Sequence, residues 1–176
     1  MSVPEIDASQ ILPIVLQNEF NVTREEMEPT REIRSRLNDL CTSQKLAVVS
    51  TQSGGQPYAS LVAFVASDDL RSIFFVTART TRKFANLKKD PRVAVLINSS
   101  TNEEADFHDA VSITATGTAE EIKDHERDKV LTRYLSKHPH LDDFVYSPSC
   151  AVIKVTTQSY YMVQNFQKVM ELHLDR

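Results

Sequence analysis

The sequence predicts a mainly β protein with peripheral helices, its antiparallel strands closed into a small barrel. Three observations lead there. Runs rich in β-branched and aromatic residues ("KLAVVSTQ", "QPYASLVAFVAS", "RSIFFVTA") follow one another across short turns. Helical periodicity is confined to a few segments that do not alternate strictly with the strands, which disfavours a doubly wound sheet. Glycine occurs only three times, and Gly54 and Gly55 stand together between two strands.

In chain order, residues 1–28 read as an arm with a short helix, ahead of one domain over 29–176. A helix is predicted over 29–44, with Thr30 as its cap and Ile33, Leu37, Leu40 and Cys41 on one face. Residues 45–67 form a hairpin around "SGG", and a second turn at "DDL" leads into a third strand over 71–78. "TTRKFANLKKDP" is a two-turn helix. Thr80 or Thr81 caps it, Phe84 and Leu87 supply its apolar side, and Pro91 ends it. A strand over 92–98 precedes an acidic loop over 99–109. A long strand over 110–122 follows, with Gly117 a candidate bulge. A helix over 124–138 turns Val130, Leu131, Tyr134 and Leu135 inward. Residues 139–149 read as a loop, and 150–165 as two strands joined by a tight turn near Thr157–Ser159. The remaining tail has no clear pattern, and no internal repeat is present.

Composition narrows the function classes. Of 176 residues, 41% are hydrophobic and 25% charged, an ordinary globular balance. A net charge of −4 argues against nucleic acid as a partner. No run approaches the 18 apolar residues of a membrane-spanning helix. "MSVPEIDASQ" lacks the basic start and apolar centre of a secretory signal, so a cytoplasmic protein with reduced thiols is expected. Cys41 and Cys150 are far apart, form no CxxC pair, and read as packed small hydrophobes.

One stretch carries chemistry. "TARTTRKFANLKKDPRVAV" (77–95) holds six Lys and Arg against the single acid Asp90. A strand ends at Thr77 and a helix begins near Thr81, which places Arg82 and Lys83 in the first helical turn. That turn presents unpaired N–H groups and a partial positive charge, so stability alone favours Asp or Glu there. A bound anion explains basic residues instead. Backbone N–H groups, a Thr hydroxyl, a bidentate Arg and a Lys together suit a phosphate. A solvated basic face satisfies the same pattern, and the residues alone leave both readings open.

The order Thr77, Thr81-Arg82-Lys83, Leu87, Asp90-Pro91-Arg92-Val93, set behind the hairpin and strand of residues 45–78, resembles the pyridoxamine 5'-phosphate oxidase-like split-barrel proteins, which typically bind FMN. The resemblance covers roughly residues 30–165 and implies an antiparallel split β-barrel of the FMN-binding type. It assigns the FMN phosphate to Thr81, Arg82 and Lys83, beside Thr77. It runs Ala59, Ser60, Leu61 and Val62 along the flavin ring edge. It also implies a homodimer with two flavins between the subunits. Pyridoxamine phosphate oxidases carry an Arg and a Lys on the strand matching "ASLVAF", whereas no basic residue occurs from Gln56 to Leu70. The chain thus resembles the broader branch, with its flavin reductase-like, haem-utilisation-related and deazaflavin-dependent proteins, rather than the vitamin B6 oxidase. The implied function is FMN-dependent redox with a nicotinamide or small-molecule partner. The alternatives are a flavin carrier or sensor without turnover, and a protein for haem or a deazaflavin.

Other candidates are weaker. His138, His140, Asp142 and Asp143 offer metal ligands but read as a polar helix-ending turn. His108 and His125 read as surface residues. His173 matters for haem, which needs an axial ligand. Tyr160, Tyr161 and Phe166 read as strand core rather than as walls for a ring system. No Ser-His-Asp order, HExxH or Walker-type loop is found.

Overall fold

The computed structural model describes residues 24–164 and 168–174. Residues 1–23 of the arm expected over 1–28, and Phe166, lie outside them. Among the described residues seven strands, β1 (Leu46–Ser53), β2 (Gln56–Ala66), β3 (Ser72–Ala78), β4 (Arg92–Asn98), β5 (Val111–Ile122), β6 (Cys150–Gln164) and β7 (Lys168–His173), form one sheet. Its order is β3-β2-β1-β4-β5-β6-β7, and β3 also pairs with β6, so the first six strands close into a barrel. Every pairing is antiparallel. The expected mainly β barrel with peripheral helices is the observed fold.

The β1–β2 turn is the predicted one. Ser53 pairs with Gln56, and the two residues between, Gly54 and Gly55, have φ of +60° and +81°. Two successive positive φ values make the turn that matches strand twist and favours glycine. Where two strands are expected over 150–165, the described residues 150–164 form a single strand with a register shift. Thr116 pairs with Ser159 but Gly117 pairs with Thr157, so Gln158 is an extra residue. An extra residue reverses the in–out alternation. Ala151, Ile153 and Val155 face the barrel before the bulge, and Tyr160 and Met162 after it. The two halves of "CAVIKVTTQSYYMV" are out of phase, which imitates a turn in the sequence. Gly117 faces the bulge because a Cβ there would lie 2.1 Å from the Thr156 carbonyl oxygen.

Helix α1 (Arg24–Ser43) begins earlier than predicted and runs through Pro29, so Thr30 lies within it and is not the cap. Its Ile33, Leu37, Leu40 and Cys41 join the barrel core, as the spacing predicts. Helix α2 (Arg82–Lys89) packs Phe84 onto that core. A second cluster lies outside the barrel, where Val65, Phe74, Val76 and Val152 meet Val130, Leu131 and Tyr134 of α4 (Asp124–Lys137). Strand β3 is thus buried on both faces, which accounts for the unbroken run "SIFFV".

Two predicted loops carry short helices. In 99–109, α3 (Asp106–Asp109) forms because the Asp106 carboxylate accepts the amides of Thr101 and Asn102 at 2.8 and 2.7 Å. In 139–149, a 3-10 turn (Pro139–Leu141) and α5 (Asp142–Tyr146) form because Val145 is drawn into the outer cluster.

Candidate functional site

Strands β2 and β3 are paired only over Phe64↔Phe75, Val65↔Phe74 and Ala66↔Ile73. Beyond Phe64 the earlier half of β2 pairs with β1 alone, while β3 runs on beside β6 and turns into α2. The sheet forks there. The fork has Ala59, Ser60, Leu61 and Val62 on one arm and Thr77, Thr81, Arg82 and Lys83 on the other. The residues assigned on the sequence therefore fall on its two sides. Along β2, Val62 is core and Ala59 and Leu61 are exposed. Ser60 Oγ is buried with no hydrogen-bond partner among the described residues, so a polar group is owed to it.

The second arm is built around Thr81, the N-cap of α2. Its hydroxyl donates to the Ala78 carbonyl at 2.9 Å and accepts the Phe84 amide at 3.4 Å. Thr77 Oγ1 lies 3.0 Å away and donates to it, since the Thr81 proton is already used. Lys83 Nζ then donates to Thr77 Oγ1 at 3.5 Å. Thr81 is saturated and fixes the helix start. The amides of Arg82 and Lys83, at the first two helical positions, find no acceptor among the described residues.

Charge pairing separates the six basic residues. Arg79 bonds Glu121 and donates to the Cys150 carbonyl at 2.6 Å. Lys88 lies 3.4 Å from Glu121, and Arg92 Nε 2.9 Å from Asp90. Among the described residues, Arg82, Lys83 and Lys89 have no carboxylate within salt-bridge distance. Lys89 sits in the last turn of α2, where the helix dipole favours a cation. Arg82 and Lys83 sit in the first, where it opposes them, and no acid accompanies them there. Burial pushes the Lys83 ammonium below its ordinary value. The Arg82 guanidinium stands 5.2 Å from the centroid of the Tyr58 ring, on β2 across the fork.

Sequence reasoning missed the residues that hold the two arms together. Asn86, buried on α2, donates to Thr51 Oγ1 at 3.0 Å, and Thr51 donates to the Tyr58 carbonyl at 3.3 Å. Gln52 bonds Asp90 just past the helix end. Tyr58, Thr51 and Asn86 thus tie α2 to the β1–β2 hairpin. The one available signal was Asn86, an amide on the inward side of a helix.

The remaining candidates disperse. His138 is not a solvent-facing turn residue: it is buried, and its Nε2–H donates to the Phe64 carbonyl at 2.9 Å. His140, Asp142 and Asp143 are exposed, and no group of three metal-ligating side chains is found among the described residues. His108 and His125 are exposed, as expected. Cys41 and Cys150 are buried and unpaired, and burial pushes the Cys41 thiol up to about 11. Tyr160 is core, with its hydroxyl on the Leu70 carbonyl at 2.6 Å, and Tyr161 is half-buried. His173 Nδ1 is hydrogen-bonded to Ser159 Oγ, and its Nε2 stands at ion-pair distance from the Glu171 carboxylate.

Comparison with known proteins agrees with this architecture. The family model for pyridoxamine 5'-phosphate oxidase matches residues 30–164. No curated protein matches the chain. Among solved structures, a heme binding protein from Mycobacterium smegmatis superposes with a TM-score of 0.71 at 17% identity, over 82% of this chain and 57% of that one. A Clostridium acetobutylicum protein related to general stress protein 26 of B. subtilis, of the pyridoxinephosphate oxidase family, gives 0.64 at 17%, over 81% and 95%. A FAD-binding protein from Mesorhizobium loti gives 0.57 at 18%, over 73% and 91%. At such identities these likenesses show the fold. Among the described residues no helix is long and apolar enough to cross a membrane.

Proposed function

The chain belongs to the pyridoxamine 5'-phosphate oxidase family, and on that premise we propose that it binds FMN in the β2–β3 fork and serves as an oxidoreductase. The observation that carries this reading is the pair Arg82 and Lys83, two cations without a carboxylate at a helix start that disfavours them. A phosphate there accepts from the guanidinium, the ammonium and the two open amides together. Thr81 contributes by fixing the helix start, and Thr77 by holding Lys83. Exposed Ala59 and Leu61 offer the ring an apolar edge, and the unpartnered Ser60 Oγ lies on the same strand. FMN, when bound, supplies the electron transfer, and the protein supplies anchoring, orientation and exclusion of water.

The electron partner is a reduced nicotinamide or a small organic acceptor. The vitamin B6 substrate is disfavoured, because β2 lacks basic residues to hold a second phosphate. A carrier or sensor that binds flavin without turnover uses the same site, and reduction of bound flavin by NADH or NADPH in stopped flow separates the two. Solved neighbours described as a heme binding protein and as a heme storage protein raise haem as the alternative. FMN, or a deazaflavin with the same phosphate, is favoured because Ser159 holds His173 Nδ1 and the Glu171 carboxylate stands beside Nε2. Exposed Leu46 and Leu61 on neighbouring strands support a homodimer with the flavins between the subunits. Two buried free thiols suit the cytoplasm.

The test is FMN titration of Arg82→Ala and Lys88→Ala. A charge-assisted bond contributes about 1.5–3 kcal/mol, so Arg82→Ala weakens FMN binding by roughly 10- to 150-fold. Lys88, already paired with Glu121, changes it little. Equal effects reduce the basic stretch to a diffuse face.

A further inference from the structure

We propose that Ser159 is a second reactive centre, a nucleophile activated by His173 and Glu171 that takes the acyl group of small esters. The sequence order Ser159, Glu171, His173 hid it, because the three residues meet only when β7 folds back on β6. Ser159 pairs with His173, and Tyr161 with Glu171. All four side chains point out of the barrel, since their neighbours Tyr160, Met162, Met170 and Leu172 point in.

Ser159 Oγ and His173 Nδ1 are 2.8 Å apart, and His173 Nε2 and Glu171 Oε2 3.2 Å. With the Glu171 carboxylate 3.2 Å from Nε2, a lone pair on that nitrogen is electrostatically disfavoured. Nδ1 is then the lone-pair nitrogen, and the Ser159 hydroxyl donates to it. The two nitrogens are exchanged relative to the usual Ser-His-acid relay, but the proton path is the same, and such relays are recognised by geometry and role. Tyr161 stands edge-on to the imidazole, 6.4 Å between centroids.

A second, independent feature aims the serine. Continuing the alternation of Ala151, Ile153 and Val155 would send residue 159 into the core. The extra residue Gln158, immediately before it, turns Ser159 outward instead. The bulge exists only because Gly117 opposite has no Cβ. Bulges commonly re-aim a side chain beside an active site.

The step is a displacement. Ser159 Oγ attacks the ester carbonyl carbon, and its proton passes to His173 Nδ1. The bond to the leaving alcohol breaks, and that alcohol takes the proton. Water, deprotonated by the same nitrogen, then attacks the acyl-serine; the bond to Ser159 Oγ breaks, Oγ takes that proton back from Nδ1, and the acid is released. Glu171, at ion-pair distance, balances the transient charge of the imidazole. The centre lies on β6–β7, apart from the fork, and stands whether or not FMN binds there.

The test treats the full chain with p-nitrophenyl acetate, follows nitrophenolate, and maps acetylated peptides by mass spectrometry. The expected result is a burst of about one equivalent with acetyl on Ser159, absent in Ser159→Ala. General-base catalysis is worth about 100-fold or more, so His173→Gln, which keeps a hydrogen-bonding side chain, should slow the burst by at least that factor. A serine phosphonylated by a fluorophosphonate in wild type but not in His173→Gln supports the same conclusion. Acetyl found only on lysines, or Ser159 labelled equally in His173→Gln with unchanged thermal melting, overturns it.

Discussion

Lys83 keeps its charge against three influences: a helix start, the adjacent Arg82, and partial burial that lowers its pKa. Anion binding favours the protonated amine and so raises that pKa. By linkage, affinity is full while Lys83 of the free protein is protonated, and falls as pH rises through its lowered value, short of the ordinary 10.5. At the acid end, the phosphate gains its second charge near a pKa of about 6. FMN affinity should therefore rise through that region, level off, and fall again in the alkaline range. Lys83→Arg should abolish the alkaline fall, and isothermal titration across pH reads both limbs. An unchanged alkaline limb in that variant removes Lys83 from the site. His138 gives a residue-scale prediction about stability. Burial lowers its pKa, so the native state binds fewer protons than the unfolded chain, whose His titrates near 6.5. Stability should be flat above that value and decline as pH falls below it. His138→Gln keeps a donor for the Phe64 carbonyl and should flatten the decline in urea unfolding at pH 7 and pH 5.

At the scale of elements, the ties between α2 and the β1–β2 hairpin set the distance between the two arms of the fork. Asn86→Leu leaves the Thr51 hydroxyl without its donor in a buried setting, which costs about 1–3 kcal/mol. Urea unfolding measures that loss. The same substitution should weaken FMN more than riboflavin, because it loosens the phosphate arm relative to the strand. A lost preference for neither ligand would confine Asn86 to a stability role. These ties also mark where the sequence was legible. Strands β1 to β5, the glycine turn and the apolar faces of α1 and α4 were readable because each follows a local period or a backbone requirement, whereas β7 lay in a tail without clear pattern. Thr81 was readable as an N-cap, and Arg82 and Lys83 because their charge contradicts the helix they start. The partners Tyr58 and Thr51 were not, because they meet α2 only through non-local register. Ser159 and His173 escaped for the same reason. The bulge misled because one inserted residue and a turn produce the same phase break along a strand.

At the scale of the molecule, the fork and the exposed leucines suggest one assembly. Leu46 and Leu61 are 51% and 61% exposed on adjacent strands, one of which carries an arm of the fork. Sedimentation should show a dimer at micromolar concentration, and Leu61→Asp should shift it to monomer while weakening FMN binding. A monomer with flavin bound would refute the shared site. Ligand binding then couples to global stability. A ligand specific for the folded state stabilises it by about 2.7 kcal/mol at a hundredfold excess over Kd. For a chain of this size each kcal/mol shifts Tm by about 2–4 °C. Saturating FMN should therefore raise the Tm of stripped protein by roughly 5–11 °C. Riboflavin has the same ring without the phosphate, so Arg82 and Lys83 gain nothing from it, and its shift at equal concentration should be much smaller. Protein concentration must be held fixed, because melting of a dimer depends on it. Equal shifts from both ligands would mean that no phosphate is held at the start of α2, and the two cations there would be left without an explanation.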